Sequence, residues 1–310
     1  MNSPPDMPCP LCGNTDYRPV TTTATVNVYV CCICGLSRTF PRHPTTATEL
    51  YTPDYHRQHS YLADPLNERV ACMRLDMLRR LKPAARTFLD VGCATGYAVQ
   101  LARDHGWESY GTDISEFATD YARRERHLTN IYTGSLAEAR LPSCHFDIIY
   151  CHHVLEHMPD PLENLREMHR LLKPDGVLFV SVPNLRSVKH WLRGDAWYTP
   201  YHLYNYDADT LRLMIGRSGF RILRLWTDSP GFVPLRRRRV TTAASQATDA
   251  HRKKAEALRS LKRGMIRAYA AAANFIADRL GWGDNLNVLA TPTGGFRSEF
   301  QSGDGVEALA

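Results

Sequence analysis

From Arg86 to Ala290 the chain alternates short apolar runs with longer amphipathic ones. Thr87 to Val91, Glu108 to Thr112, Phe146 to Cys151 and Val177 to Val182 have the length and composition of strands. Stretches between them suit helices, and this alternation predicts an α/β fold in which a parallel sheet carries helices on both faces. Two later runs, Phe220 to Trp226 and Asn285 to Ala290, read as strands that pair antiparallel. A long basic insertion over 233–282 separates them, with helical spacing at Leu258, Leu261, Met265, Tyr269 and Leu280. Ahead of the sheet, Val70, Met73, Leu75, Met77, Leu78 and Leu81 recur at helical spacing until Pro83 stops them.

The domain plan follows from these patterns. Residues 1–40 are short, turn-rich and cysteine-paired, and so small a unit needs something besides hydrophobic burial to hold it together. Residues 41–85 form a connector and N-terminal helices, with a stretch over 41–64 rich in Pro, Thr, Tyr and His. The main domain spans 86–292, and the polar, Gly-rich tail over 293–310 is expected to be disordered.

Composition adds modest constraints. The chain has 310 residues, 44% of them hydrophobic, enough for one large domain plus a small appendage. The formal net charge of +6 is unevenly placed, in Arg236 to Arg239 and in the segment from Arg252 to Arg267. An acidic partner surface is one reading of such runs, and a solvated helix face is the ordinary one. No run of 18 or more apolar residues occurs and the first residues lack the pattern of a signal peptide, so a soluble, cytoplasmic protein is expected.

Of the nine cysteines, Cys9 and Cys12 form one C-x2-C pair, and Cys31 and Cys34 a second. Two such pairs, each followed by a glycine and separated by a Thr/Val-rich stretch, have the spacing of a tetrahedral four-thiolate zinc site. Four thiolates leave zinc no open position, so the predicted role of the metal is structural. Redox chemistry is the competing reading, although a single pair would suffice for it.

The most informative segment is Phe88-Leu89-Asp90-Val91-Gly92-Cys93-Ala94-Thr95-Gly96-Tyr97, an apolar strand running into a small-residue turn and a helix. Gly92, Ala94 and Gly96 let a ligand approach the backbone, and the helix N-terminus offers unpaired N–H groups to an anion. A dinucleotide fingerprint would need a third small residue where Tyr97 stands. A strand-end acid, Asp113, follows about twenty residues after the turn, where a carboxylate meets ribose hydroxyls.

Further on come Phe146-Asp147-Ile148-Ile149-Tyr150, Leu155-Glu156-His157 and Leu172-Lys173-Pro174-Asp175-Gly176. With the turn and Gly111-Thr112-Asp113-Ile114-Ser115 ahead of them, these motifs resemble, in order and spacing, class I S-adenosylmethionine-dependent methyltransferases of the ubiquinone-biosynthesis O-methyltransferase type, over roughly Arg69 to Trp226. The resemblance implies a Rossmann-like sheet of seven strands, the last two antiparallel. It places Asp90 and Gly92 by the methionine part, Asp113 by the ribose, Ser135 and Leu136 by the adenine, and His152 at the cofactor edge, with Ala94, Gly96 and Ile114 also expected to line the cofactor. Ala94 replaces the family's middle glycine, and Ser135 a common aspartate.

The same resemblance implies an acidic or metal-assisted acceptor site at His153, Glu156 and His157, with His153 departing from an acidic family position. It matches Pro200 to Tyr204 and Asp207 to Leu211 with the segment before a helix that covers the acceptor pocket. Methyl transfer to a hydroxyl needs alignment, a dry pocket and a base, and His153, His157 and His202 are the candidate bases. For His157 a structural hydrogen bond is the competing role. His153-x-x-Glu156-His157 also matches an inverted zinc-protease string, which the surrounding motifs explain without a protease. Tyr51, Tyr55 and Tyr61 are candidates for a lid or for packing.

The leading expectation is an enzyme moving a methyl group from S-adenosylmethionine to a hydroxyl, or alternatively a carbon or nitrogen, of a small-molecule or glycan-like acceptor. A zinc ribbon ahead of the core resembles arrangements in sugar and natural-product methyltransferases, and in one ribosomal-RNA type. Two alternatives therefore stand: an RNA methyltransferase that docks through the ribbon, and a catalytically silent binding module. Peripheral membrane contact through the basic insertion is a further partner reading, and the sequence leaves the oligomeric state open.

Overall fold

The computed structural model describes residues 7–41, 65–229 and 272–294. Tyr51, Tyr55, Tyr61, both basic runs, most of the insertion and the tail from 295 onward lie outside the described residues.

Three strands open the chain: β1 (Tyr17–Thr22), β2 (Val26–Cys31) and β3 (Ser37–Pro41). After helix α1 (Pro65–Leu81) come β4 (Thr87–Val91), α2 (Tyr97–Asp104), β5 (Glu108–Asp113), α3 (Glu116–Glu125), β6 (Ile131–Thr133) and β7 (Phe146–His152). Then follow α4 (Pro161–Leu171), β8 (Leu172–Pro183), α5 (Val188–Arg193), β9 (Tyr204–Asn205), α6 (Ala208–Arg217), β10 (Phe220–Asp228) and β11 (Asn285–Pro292). No helix among the described residues is long and apolar enough to cross a membrane.

The main sheet has seven strands in the order β10-β11-β8-β7-β4-β5-β6. Its centre is parallel, and β11 lies between β8 and β10, antiparallel to both. The final two strands thus form the antiparallel pair that the sequence predicts, and β11 alone runs against the sheet. β4 is buried along its whole length, which is why it reads as a continuous apolar run rather than an alternating one. β6 has only three residues and carries no periodicity of its own, so the sequence leaves it unmarked.

Helix α1 buries Leu75 and Leu78 against the sheet, while Met73, on the expected apolar stripe, is 59% exposed. Helix starts follow local chemistry. Ser115 accepts a hydrogen bond from the Ala118 amide at the head of α3, and Asp207 and Thr210 form a reciprocal capping box on α6.

The N-terminal strands are joined to the rest of the molecule. β3 pairs antiparallel with β9, making a four-stranded sheet β1-β2-β3-β9. Leu11, Tyr17, Tyr29 and Leu36 are buried in the same apolar cluster as Leu155, Tyr204, Tyr206 and Leu211. A small unit that cannot bury a core alone has therefore borrowed one.

Candidate active site

The glycine turn connects β4 to α2 at the carboxyl edge of the sheet, where open α/β sheets bind their ligands. Gly92 and Gly96 have φ of +71° and +78°, which glycine adopts without strain. Both also turn their missing side chain toward protein. A Cβ on Gly92 would collide with Val154, and one on Gly96 with Leu128 and Ala122. Ala94 has φ +46°, a left-handed conformation that an alanine adopts at a cost of about 1 kcal/mol. Gly96 caps α2 without a side-chain hydrogen bond, leaving the first amides of the helix free of a side-chain acceptor.

Asp113 ties the turn to β5. Its carboxylate accepts hydrogen bonds from the Ala94 amide and the Ser115 amide, both at 2.8 Å. Burial pushes its pKa up, and those two amides pull it back. Asp90 is 5% exposed, and burial, reinforced by Asp113, raises its carboxyl well above the ordinary range.

The expected adenine side is built differently from the aspartate pattern that the resemblance carries. Ser135 donates to Glu138 through its amide and its hydroxyl, each at 2.7 Å. These contacts hold the exposed Glu138 carboxyl below its usual range. Glu138 is thus the carboxylate at this corner, three residues beyond the aligned position. Ile114 is 50% exposed beside Asp113, whereas Leu136 is buried in the core.

The loop after β7 carries the histidines. Val154 lies over Gly92, so this loop rests directly on the glycine turn. The ring of His152 stacks on Tyr150 at 5.8 Å and meets the ring of His153 edge-on at 4.5 Å. Its Nε2 is buried without a hydrogen-bond partner, and burial holds its pKa far below the usual value, so the ring is neutral.

Glu156 is the centre of the loop. It is 1% exposed, and neither carboxylate oxygen has a hydrogen-bond partner. His153 Nδ1 lies 3.4 Å and His157 Nε2 3.8 Å from its Oε1. The 3.4 Å approach is an ion-pair contact rather than a well-formed hydrogen bond. Burial alone would raise the Glu156 pKa, but contact with His153 and the nearby His157 and His202 reverse that and hold it at about 2. Glu156 is therefore a buried carboxylate. His202 meets His157 edge-on at 4.9 Å, and burial holds its own pKa down to about 4.

Neighbouring groups assign the protons on two of these rings. The Asn285 amide nitrogen donates to Asp228 Oδ1 at 3.0 Å, which leaves Asn285 Oδ1 to accept from His153 Nε2 at 3.1 Å. Asp228 is held in turn by Arg74, at 3.0 and 3.1 Å. His157 Nδ1 lies 2.8 Å from the Tyr201 carbonyl, which can only accept, so a proton sits on Nδ1, while Nε2 lies 3.8 Å from Glu156 Oε1. Glu156, His157 and His202 each offer a ligand atom, all within 4.8 Å of one another, a set that suits a divalent cation.

The structure thus gathers His153, His157 and His202 around one carboxylate, and places Asp90, Gly92, Ala94, Gly96 and Asp113 beside them. Asn285, Asp228 and the Tyr201 carbonyl carry no signal in the sequence that links them to this place; Asn285 lies 132 residues from His153.

The four predicted metal cysteines converge as well. Cys9 and Cys34 lie 3.5 Å apart through their sulfurs, and Cys12 and Cys31 3.4 Å. The edge of a zinc tetrahedron with 2.3 Å bonds is about 3.8 Å. Gly13 and Gly35, both at φ +76°, close the two knuckles by donating to the Cys9 and Cys31 carbonyls. Burial raises the Cys31 thiol, but the Cys34 and Ile33 amides outweigh it and bring it to about 6.

Known proteins agree with this architecture. A curated protein of Mycolicibacterium smegmatis, named a probable S-adenosylmethionine-dependent methyltransferase, is 30% identical over 139 residues, 45% of this chain and 53% of its own length. A ubiquinone biosynthesis O-methyltransferase of Actinobacillus pleuropneumoniae is 35% identical over 131 residues, 39% of this chain and 56% of its own. The chain therefore spans about half the length of the curated relatives it matches. In fold it is similar to a solved SAM-dependent methyltransferase of Archaeoglobus fulgidus, with TM-score 0.52 and 17% identity, covering 77% of this chain and all of that one. The family model described as Methyltransferase domain matches residues 56–225, more than half of the chain, which belongs to that family.

Proposed function

We propose that this chain transfers the methyl group of S-adenosylmethionine to a hydroxyl of a small-molecule or glycan-like acceptor. The observation that carries the reading is Glu156, a buried carboxylate whose oxygens accept no hydrogen bond, faced by histidines in a loop whose Val154 rests on the glycine turn. A buried charge without hydrogen bonds is costly, so such a site is completed by something that binds there, either a hydroxyl group or a cation. When bound, S-adenosylmethionine supplies an electrophilic methyl group on a sulfonium. The amides at the head of α2 suit its carboxylate, and Asp113 its ribose once the Ala94 and Ser115 contacts rearrange.

His157 is the base in this reading. Its Nε2 lone pair accepts the hydroxyl proton as the acceptor oxygen bonds to the methyl carbon, and Glu156 stabilises the imidazolium that forms. His153 does not fill that role, because Nε2 donates to Asn285 and Nδ1 faces Glu156. His202 is neutral and lies against His157, which keeps the site compact without adding charge. In a second reading a divalent cation held by Glu156, His157 and His202 would activate the hydroxyl as a Lewis acid, with His157 Nε2 then a ligand and not the base. Cys9, Cys12, Cys31 and Cys34 would hold a structural zinc ion.

Calorimetric titration with S-adenosylhomocysteine tests the cofactor half, with Asp113→Ala as the control. Micromolar binding that is lost in the variant supports it, and absence of binding to folded protein ends it. Transfer of a labelled methyl group to a panel of catechols and hydroxylated glycans tests the acceptor half.

A further inference from the structure

The cysteine ribbon and the histidine site meet through a short strand. On the ribbon side, β3 begins three residues after Cys34, and the Cys31 amide donates to the Leu36 carbonyl at 3.0 Å. β3 then pairs with β9, Ser37 opposite Asn205 and Arg38 opposite Tyr204. The Thr39 amide donates to the Leu203 carbonyl at 2.9 Å, and the Asn205 side-chain amide donates to the Thr39 hydroxyl at 3.0 Å. Ser37, Thr39 and Asn205 are all buried, so these bonds do not compete with water. Leu203 directly follows Tyr201 and His202, whose carbonyl and ring fix His157.

We infer that the metal-bound ribbon sets the positions of the Tyr201 carbonyl and of His202, so that Thr39 and Asn205 are positioning residues for the base His157. This rests on the reading of His157 as the base. The ribbon is then a wall of the acceptor site rather than an appended docking module. Two physical facts favour it. The segment 201–203 has no regular structure of its own before β9, so its placement depends on what β9 pairs with, and that partner is β3. β3 in turn belongs to a unit too small to fold without its metal or the shared core. Tyr204 adds a second tie, its hydroxyl donating to the Pro159 carbonyl at 2.8 Å just beyond the histidine loop.

The test needs no acceptor. In full-length protein labelled with carbon-13 at histidine rings, the His157 and His202 resonances are assigned from His157→Gln and His202→Gln. Paired substitution of Cys9→Ser and Cys34→Ser removes zinc, and we expect the His157 and His202 signals to move while those of His105 and His169 stay in place. Should that variant fail to fold, Thr39→Val decides: zinc content equal to the unsubstituted protein, the same two signals displaced, and Thr39→Ser restoring them. Unmoved His157 and His202 signals in folded, zinc-free protein, or in zinc-loaded Thr39→Val, overturn the inference. S-adenosylhomocysteine binding is measured on every variant. Loss of binding by the unsubstituted protein would count against the proposed reaction, and the resonances would still report on the ribbon.

Discussion

In the turn after β4 the polar groups satisfy one another, with Asp113 accepting from two amides and both glycines filled against neighbouring side chains. In the loop after β7, at the same sheet edge, Glu156 is buried with neither oxygen hydrogen-bonded and His153 holds a left-handed φ of +55°. The first region is stable as it stands and admits a ligand by exchanging hydrogen bonds. The second stores its polarity for whatever arrives, at the cost of strain and desolvation. Binding and chemistry are thus divided between neighbouring loops, and substitutions should separate them.

The largest separation is expected from Glu156→Gln. The side chain keeps its volume but loses the charge that His157 needs in the transition state, so methyl transfer should fall roughly 10²–10⁴-fold, the usual scale for losing acid–base assistance. S-adenosylhomocysteine binding should be unaffected. Equal loss of both, measured by label transfer and calorimetry, would merge the two regions into one site. The comparison of His157→Gln with His153→Gln sharpens it. The first should cost about 100-fold in turnover. The second should cost much less, since His153 is tied to Asn285 and carries no free lone pair toward the acceptor. A larger loss with His153→Gln would reverse the assignment.

Asp113→Asn probes the other side. Replacing a charged acceptor of two half-buried amides by a neutral one should weaken S-adenosylhomocysteine by about 10- to 100-fold, in line with about 1.5–3 kcal/mol for a hydrogen bond to a charged group. Turnover at saturating cofactor should change little. Calorimetry and saturation kinetics check the two halves.

The two regions also differ in how far the sequence discloses them. The cofactor turn is local: strand, small residues, helix and a strand-end acid lie within Thr87 to Ser115, and their spacing carries the geometry. The strands around it were legible for the same reason, as buried central strands form apolar runs. β6 was not, because three residues hold no period. The histidine site joins distant segments. Asn285 comes from the last strand, and nothing near it in sequence announces a neighbour 132 residues away, whereas His202 was a candidate base only through the resemblance of Pro200 to Tyr204. Pairing of β3 with β9 was hidden for that reason too, since two residues of strand have no pattern until a partner is present.

The smallest effect expected concerns pH and the burial of His202. Its pKa is depressed to about 4 by burial, whereas an unfolded histidine titrates near 6.5. The folded state therefore binds fewer protons than the unfolded state between those values. Stability from this group is complete above pH about 6.5 and is lost as pH falls toward about 4. The depression corresponds to a loss on the order of 2 kcal/mol once partial exposure is discounted. Glu156, with its pKa lowered to about 2, adds a second loss only below pH about 4.5, so the two windows follow one another. Urea midpoints taken from pH 7.5 to 4.5 should fall for the unsubstituted protein and fall less steeply in His202→Gln, the remaining slope coming from other buried groups such as His152. An equal slope in His202→Gln would mean that the ring titrates freely and that the packing of His202 against His157 does not keep it dry.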